Sequence, residues 1–168
     1  MKIMDIRLLE SQQIPVIAAA FALLGWNKPA SQYEQYLAEQ TAGTRVVLVA
    51  WLQNEFAGYV TICWQSYYPF FASCDIPEIV DFNVLPHFRR QGIGSQLMDE
   101  AERRLSQVSR VVGIGVGMTA DYGAAQRMYA RRGYVPDGNG LLSHGHPVTY
   151  GEFVAVDDDL CLFFTKKL

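Results

Sequence analysis

The fold of this 168-residue chain is decided by one stretch, DFNVLPHFRRQGIGS, which runs from Asp81 to Ser95. It reads as the end of a strand, a turn at Pro86, and two glycines that open a long helix. The first N–H groups of a helix lack intrahelical acceptors and carry positive partial charge. Glycine lets a ligand approach them, and Arg89 and Arg90 add charge. The stretch therefore predicts a phosphate-binding turn.

A plainer interpretation of the two glycines stays open, because a tight turn that needs positive φ would also select them. Two familiar nucleotide motifs do not fit. The dinucleotide pattern GxGxxG fails because Leu97 stands where a third glycine belongs, and GxxxxGK[ST] is absent.

Working outward, residues 92–108 form the clearest helix. The apolar residues Ile93, Leu97, Ala101, Leu105 and Val108 fall on one face of it. Strand-like runs at 78–85 and 111–118 flank this helix, which predicts a strand–helix–strand unit.

The remaining predicted elements are a strand at 4–9, a helix at 11–24 with Pro15 in its first turn, a helix at 32–40 capped by Ser31, hairpin strands at 46–52 and 56–64, an irregular segment at 65–77, a helix at 122–132, a mostly loop region at 134–156 and a closing strand at 160–165. We expect an α/β fold over 1–168 as a single domain, with a mixed, mostly antiparallel six- to seven-stranded sheet flanked by helices on both sides.

Composition excludes several classes of protein. Half of the residues are hydrophobic and 18% are charged, which is not the composition of a disordered chain. No apolar run is long enough to span a bilayer, and the N-terminus has no signal-type apolar core, so we expect a cytoplasmic protein with no membrane partner. The cysteines Cys63, Cys74 and Cys161 form no CxxC, so we expect no metal and no disulfide, and interpret all three as small core residues.

Charge is unevenly distributed. Residues 89–132 hold eight arginines against four acidic residues, in a chain with a net charge of −3. A phosphate-rich small molecule explains this short basic segment better than nucleic acid does, so we expect no nucleic-acid partner. A solvated helix face alone explains Arg103, Arg104 and Arg110.

The segment RRQGIG at 89–94 resembles the (Gln/Arg)-x-x-Gly-x-(Gly/Ala) signature of the GNAT superfamily of N-acetyltransferases, in its bacterial type. The lead-in Val84-Leu85-Pro86 is also similar. The resemblance implies that the pyrophosphate of coenzyme A binds the backbone amides of this turn and that Val84 hydrogen-bonds the pantetheine arm. The turn comprises Arg89, Arg90, Gln91, Gly92, Ile93, Gly94 and Ser95. The N–H of Val84 or Leu85 would polarise the thioester carbonyl.

A second segment, residues 122–134, resembles the family helix N-x-x-A-x-x-x-Y-x-x-x-G-F through Ala125, Tyr129 and Gly133. Tyr122 and Ala125 then belong with Tyr129 to the cofactor-binding set. Tyr122 stands where the family has asparagine, which removes one expected hydrogen bond to the cofactor, and Tyr134 replaces phenylalanine.

Amine acetylation needs a general base for the ammonium and a general acid for the leaving thiolate. The resemblance makes Tyr129 the acid, and the alternative is a packed aromatic side chain. Glu78, six residues before Val84 on the same strand, is the candidate base. The alternatives are an exposed strand-end glutamate and a water chain. By alternation Asp81 faces the other way, which favours a structural role.

The expected function is therefore direct transfer of the acetyl group of acetyl-CoA to a primary amine of a small-molecule or peptide acceptor, by an acetyl-CoA-dependent N-acetyltransferase that forms a possible homodimer. The alternative is a non-catalytic CoA-binding sensor or partner module, and a kinase is disfavoured because no magnesium motif is present. Aromatic residues with nearby acids in the expected acceptor region suit a cationic organic amine. His144 and His146 are interpreted as exposed loop residues, and Asp157–Asp159 as a solvated turn.

Overall fold

The computed structural model describes residues 4–168. Its helices and strands are β1 (Met4–Leu8), α1 (Ile14–Leu23), α2 (Ala30–Thr41), β2 (Arg45–Leu52), β3 (Glu55–Cys63), α3 (Pro69–Ser73), β4 (Glu78–Val84), α4 (Ile93–Leu105), β5 (Val111–Gly117), α5 (Gly123–Arg131), β6 (Val135–Ser143), β7 (His146–Pro147) and β8 (Leu160–Lys167). Short 3-10 turns precede α1, α4 and α5. Over this part of the chain, no helix is long and apolar enough to cross a bilayer.

The strands form one sheet in the order β1-β2-β3-β4-β5-β8-β6-β7. The pairs β1–β2, β2–β3, β5–β8, β6–β8 and β6–β7 are antiparallel. The prediction of a mixed, mostly antiparallel α/β sheet flanked by helices is confirmed. The predicted count of six to seven strands is wrong, since residues 4–168 contain eight. β6 and the two-residue β7 lie in a Gly- and Pro-rich region without apolar alternation, so the sequence predicted mostly loop there.

The chain divides into two compact units. The first comprises the residues up to Trp64 together with Ile79–Gln107. In it α1, α2 and α4 pack against β2 and β3. The fully buried ring of Phe21 lies at the centre, stacked on Trp26 and Tyr33 and edge-on to Phe56 and Tyr59.

Helix boundaries in the first unit follow local chemistry. α4 begins at Ile93, preceded by Gly92 at φ +81°, and it buries Ile93, Leu97, Ala101 and Leu105 as predicted. It ends at Leu105, and Val108 is 68% exposed, so the predicted end at Val108 is wrong. The last turn tightens there, because the N–H of Gln107 bonds the carbonyl of Arg104.

The predicted start of α2 is wrong, and the predicted position of Pro15 in α1 is confirmed. α2 begins at Ala30, before the predicted cap Ser31, with Pro29 in extended conformation at the N-cap position and no side-chain cap. Pro15 does lie in the first turn of α1, where its missing N–H costs nothing.

The second unit comprises Gln65–Glu78 and Val108–Leu168. Its core is built from Tyr68, Phe71 and Leu142, with Ile76 and Phe163 packed against them. The segment predicted to be irregular contains the short helix α3, which carries Phe71. In β5 the alternating glycines at 113, 115 and 117 are covered by the rings of Phe71, Phe163 and Tyr122. Neighbouring side chains of the same unit thus fill the space that these glycines leave.

The cysteines differ from one another in exposure. Cys63 is buried, Cys161 is half-buried and Cys74 is exposed. The prediction that all three are core residues is therefore right for Cys63 and wrong for Cys74. Cys74 follows α3 directly, where the chain turns outward.

Gly58 in β3 permits a close approach of the chain in β4. A Cβ atom at residue 58 would lie 2.4 Å from the carbonyl oxygen of Asn83 and 3.0 Å from Cα of Val84. Because these are backbone atoms, they cannot move aside without displacing the strand. We expect Gly58→Ala to lower the free energy of unfolding by about 1–3 kcal/mol, measured by chemical denaturation.

The matched control is Gly123→Ala. Gly123 has helical dihedral angles, and a Cβ atom added there would have no neighbouring heavy atom within 4 Å. Alanine at this position should leave stability unchanged or raise it by up to about 1 kcal/mol. Equal stability of the two variants would contradict the close approach at Gly58.

Candidate active site

The turn between β4 and α4 has the geometry of an anion site. Gly92 adopts a left-handed conformation at the N-cap, and Arg90 also has positive φ, at +60°. The first helical bond is donated by the N–H of Gln96 to the carbonyl of Gly92. The N–H groups of Ile93, Gly94 and Ser95 come before it in the first turn, where a helix offers no acceptor. The turn is exposed at Arg89–Gly92, so an anion can reach it.

The side chain of Arg89 stabilises the turn through a hydrogen bond and a ring contact. Its Nε donates to the carbonyl of Val84 at 3.0 Å, and its guanidinium lies 6.0 Å from the centre of the Trp26 ring. Arg90 is exposed. Both arginines are exposed and keep their positive charge, since the partners of Arg89 are a neutral carbonyl and a neutral ring.

The N–H groups of Val84 and Leu85 are the two backbone donors predicted to polarise the thioester carbonyl. The N–H of Leu85 donates to the carbonyl of Ala57 at 2.9 Å. A group already bonded to a protein carbonyl is a poor donor to a ligand, which counts against Leu85 as the polarising donor.

Glu78, the first residue of β4, is only 8% exposed. Ser66 donates its hydroxyl hydrogen bond to Oε2 of this carboxylate. The hydroxyl of Ser66 in turn accepts the N–H of Tyr68 at 2.9 Å. The alternative of an exposed strand-end glutamate is therefore wrong, and Ser66 is an oriented partner that sequence reasoning missed.

Tyr129 lies on α5 and is 5% exposed. Burial raises the pKa of its hydroxyl above the usual tyrosine value, and the neighbouring Tyr122 adds to the shift. A tyrosine in this state keeps its proton throughout the neutral range. It therefore has a proton to donate at neutral pH.

Tyr122, at the position of the family asparagine, is engaged within its own unit. Its hydroxyl donates to Oδ1 of Asp158 at 3.0 Å, and its ring covers Gly117. Burial and this hydrogen bond raise the pKa of Tyr122 to about 12. Ala125 lies half-buried one turn before Tyr129 on α5.

Asp81 is the polar centre of the first unit, and its chemistry was missed by sequence reasoning. It has a φ of +52° inside β4, which is rare for a residue other than glycine. Its carboxylate accepts hydrogen bonds from side chains on α2, on the segment before α2, and on β3 and β4. The donors are Lys28, Gln32, Tyr36, Tyr59 and Asn83. A signal was present, because Lys28, Gln32 and Tyr36 are spaced four apart, as residues that line one side of a helix are.

A third group of side chains comprises His144, Asp157 and Asp159. Nε2 of His144 lies 3.6 Å from Asp157 and 3.4 Å from Asp159, and all three residues are exposed. This agrees with the interpretation of His144 as an exposed loop residue beside a solvated turn.

Comparison with known proteins identifies the family. The profile described as Acetyltransferase (GNAT) family matches residues 12–134, which span both the turn at Arg89–Ser95 and α5. This chain belongs to the GNAT acetyltransferase family. A GNAT relative from Archaeoglobus fulgidus, described as an uncharacterized N-acetyltransferase, is 38% identical over 85 residues. That match covers 50% of this chain and 56% of the relative, so the chain spans little more than half of the relative's length.

Solved GNAT structures share the fold across nearly the whole chain. An acetyltransferase of the family from Desulfovibrio desulfuricans superposes with a TM-score of 0.72 at 16% identity, covering 98% of this chain and 99% of that one. RimL, a ribosomal-protein alpha-N-acetyltransferase solved in complex with coenzyme A, superposes with a TM-score of 0.68 at 15% identity, covering 98% and 94% of the two chains. At these identities the likeness establishes the fold alone.

Proposed function

We propose that this GNAT protein is an acetyl-CoA-dependent N-acetyltransferase that transfers the acetyl group directly to a primary amine of a small-molecule or peptide acceptor. The observation that carries the proposal is the turn at Arg89–Ser95, with Gly92 in the left-handed conformation ahead of α4. Exposed N–H groups at a helix start suit the pyrophosphate of coenzyme A. Family membership supports acetyl transfer as the reaction.

The proposed binding set follows from the same arrangement. Arg89 shapes the turn, Arg90 supplies charge, and the amides from Gln91 to Ser95 hold the pyrophosphate. The N–H of Val84 polarises the thioester carbonyl and binds the pantetheine arm. We also assign Tyr122 and Ala125 of α5 to the cofactor-binding set; the hydroxyl of Tyr122 is bound to Asp158, so only its ring is left to contact a ligand.

The proposed chemistry is a direct transfer. Glu78 removes a proton from the acceptor ammonium, and the neutral amine attacks the thioester carbonyl. The carbon–sulfur bond then breaks, Tyr129 protonates the leaving thiolate, and the extra proton on the attacking nitrogen passes to the tyrosinate so formed, which leaves a neutral amide. The burial of both groups supports these roles, because it keeps bulk water away from the carboxylate of Glu78 and keeps the proton on Tyr129 at neutral pH.

Replacing Gly92 with glutamate tests the phosphate turn. The variant places a negative charge beside the first helical N–H groups, so we expect the Kd for coenzyme A to rise by about 10–100-fold. Isothermal titration calorimetry with coenzyme A measures the effect without any acceptor.

Gly43→Glu is the matched control, because Gly43 also has positive φ, at +79°, and is exposed beyond the end of α2. Both variants carry the same backbone strain and the same charge. Equal affinity of the two for coenzyme A would overturn the proposed phosphate turn. Tight binding of coenzyme A without acetylation of any amine would instead identify a sensor module.

A further inference from the structure

The ammonium of Lys28 lies in a half-buried site that we call the Asp81 box, formed by Phe21, Gln32, Tyr36, Tyr59, Asp81 and Asn83. Nζ of Lys28 donates to Oδ1 of Asp81 at 2.8 Å and to the hydroxyl of Tyr59 at 2.9 Å. It also lies 5.8 Å from the centre of the Phe21 ring and 5.6 Å from that of Tyr59. A carboxylate, a hydroxyl acceptor and two aromatic faces around one cation form an ammonium-binding site.

The box is held together by groups other than Lys28. Gln32 and Tyr36 donate to Oδ2 of Asp81 at 2.9 Å and 3.0 Å, and Asn83 donates to Oδ1 at 2.8 Å. Tyr59 donates to Oδ2 as well. These four donors are neutral, so they orient the carboxylate without neutralising it. If Lys28 left, these four donors would still hold the carboxylate in the same orientation, aimed at the position of the lysine ammonium.

The box is open to exchange. The side chains of Lys28 and Asp81 are 18% and 16% exposed, so the pair is neither sealed in the core nor fully solvated. Lys28 lies on the segment between α1 and α2, outside the helical hydrogen bonds of either. The left-handed backbone of Asp81 keeps the carboxylate turned toward that segment.

We propose that the Asp81 box binds a primary ammonium of the acceptor and that Lys28 occupies it while no acceptor is bound. This inference rests on the proposed function and names its substrate class. Because the carboxylate stabilises the charged form, the ammonium in the box is not the nucleophile, which has to lose its proton. The acceptor therefore carries two amines, one anchored in the box and one acetylated, as in a straight-chain diamine or polyamine. Two hydrogen bonds from the ammonium require N–H donors, which excludes a quaternary ammonium.

Binding is tested without acetyl-CoA, by calorimetry with n-butylamine as a copy of the lysine side chain. Removing Lys28 frees the box, so Lys28→Ala should bind n-butylamine at least about tenfold more tightly than the unaltered chain. The gain should vanish in Lys28→Ala with Asp81→Asn, and n-butanol should show none. The control Lys167→Ala, which removes a lysine at the end of β8, should behave like the unaltered chain. Equal affinity for n-butylamine with and without Lys28, or equal binding of n-butanol, would overturn the box.

Steady-state kinetics tests the same idea, first on the unaltered chain and then on one variant. With acetyl-CoA, kcat/KM for straight-chain diamines should exceed that for monoamines of equal length by about tenfold or more. Asp81→Asn should abolish this preference mainly through KM. Diamines and monoamines acetylated equally well would overturn the inference. No acetylation of any amine would count against the proposed function, while the calorimetry still decides whether the box binds an ammonium.

Discussion

Replacing Tyr129 with phenylalanine should lower kcat by about 10²–10⁴-fold, with the Kd for coenzyme A nearly unchanged. The change deletes one hydroxyl and keeps the ring that fills the buried position on α5. The thiolate would then have to leave without a proton donor beside it. Steady-state kinetics with acetyl-CoA and a diamine acceptor, together with calorimetry for coenzyme A, separates the loss of kcat from any loss of binding.

Tyr134→Phe is the matched control for this prediction. Tyr134 is 2% exposed and its ring lies 5.9 Å from that of Tyr129. It loses the same hydroxyl from the same neighbourhood, and phenylalanine is the usual family residue there. We expect kcat within about threefold of the unaltered chain. If both variants, or neither, lose activity, then Tyr129 is not the general acid.

The raised pKa of Tyr129 affects how the rate depends on pH. A general acid works only while protonated, and burial shifts this group above the ordinary tyrosine pKa of 10.0. The rate should therefore show no decline from Tyr129 on the alkaline side below about pH 10. A fall in kcat within the neutral range has to come from another group.

Replacing Glu78 with glutamine should lower kcat/KM by about 10²–10⁴-fold and remove the acidic limb of its pH profile. A general base works only while ionised, so the unaltered enzyme should lose activity as the pH falls through the pKa of this carboxyl group. Glutamine keeps the size of the side chain and can still accept the hydrogen bond from Ser66. The fold should therefore survive the change, which circular dichroism checks.

Glu55→Gln provides the control, because Glu55 is the first residue of β3 just as Glu78 is the first residue of β4, but it is exposed. It should change neither the rate nor the pH profile. An acidic limb that persists in Glu78→Gln would assign the proton transfer to a water chain or to another group.

The sequence predicted much of the fold because its strongest signals are local. The spacing of Ile93, Leu97, Ala101 and Leu105 predicted the buried face of α4, and the glycines at 92 and 133 lie where the chain has positive φ. The hairpin between β2 and β3 turns at Gln53 and Asn54, both in the left-handed region, as a two-residue turn requires. Local periodicity and glycine positions are readable without tertiary contacts.

Predictions failed where pairing or packing at a distance decides the structure. β7 is a strand only because β6 pairs with it, and its two residues have no pattern of their own. The exposure of Cys74 depends on the short helix α3, which packs Phe71 inward and leaves the next turn outside.

The sequence by itself determined the family, the glycine-containing turn at Arg89–Ser95 and the choice of Tyr129 and Glu78 as candidates, because each rests on residue types at fixed spacing in a continuous segment. Only the tertiary structure decided which side chains and backbone groups contact one another. It buried Glu78 against Ser66, engaged the N–H of Leu85 and brought Lys28 to Asp81 across 53 positions of the chain. Such contacts follow from how helices pack on strands. The alternation of side chains along the strand had favoured only a structural role for Asp81. The physical reason is that a half-buried charged group needs a partner close to it in space, and that partner can come from any part of the sequence.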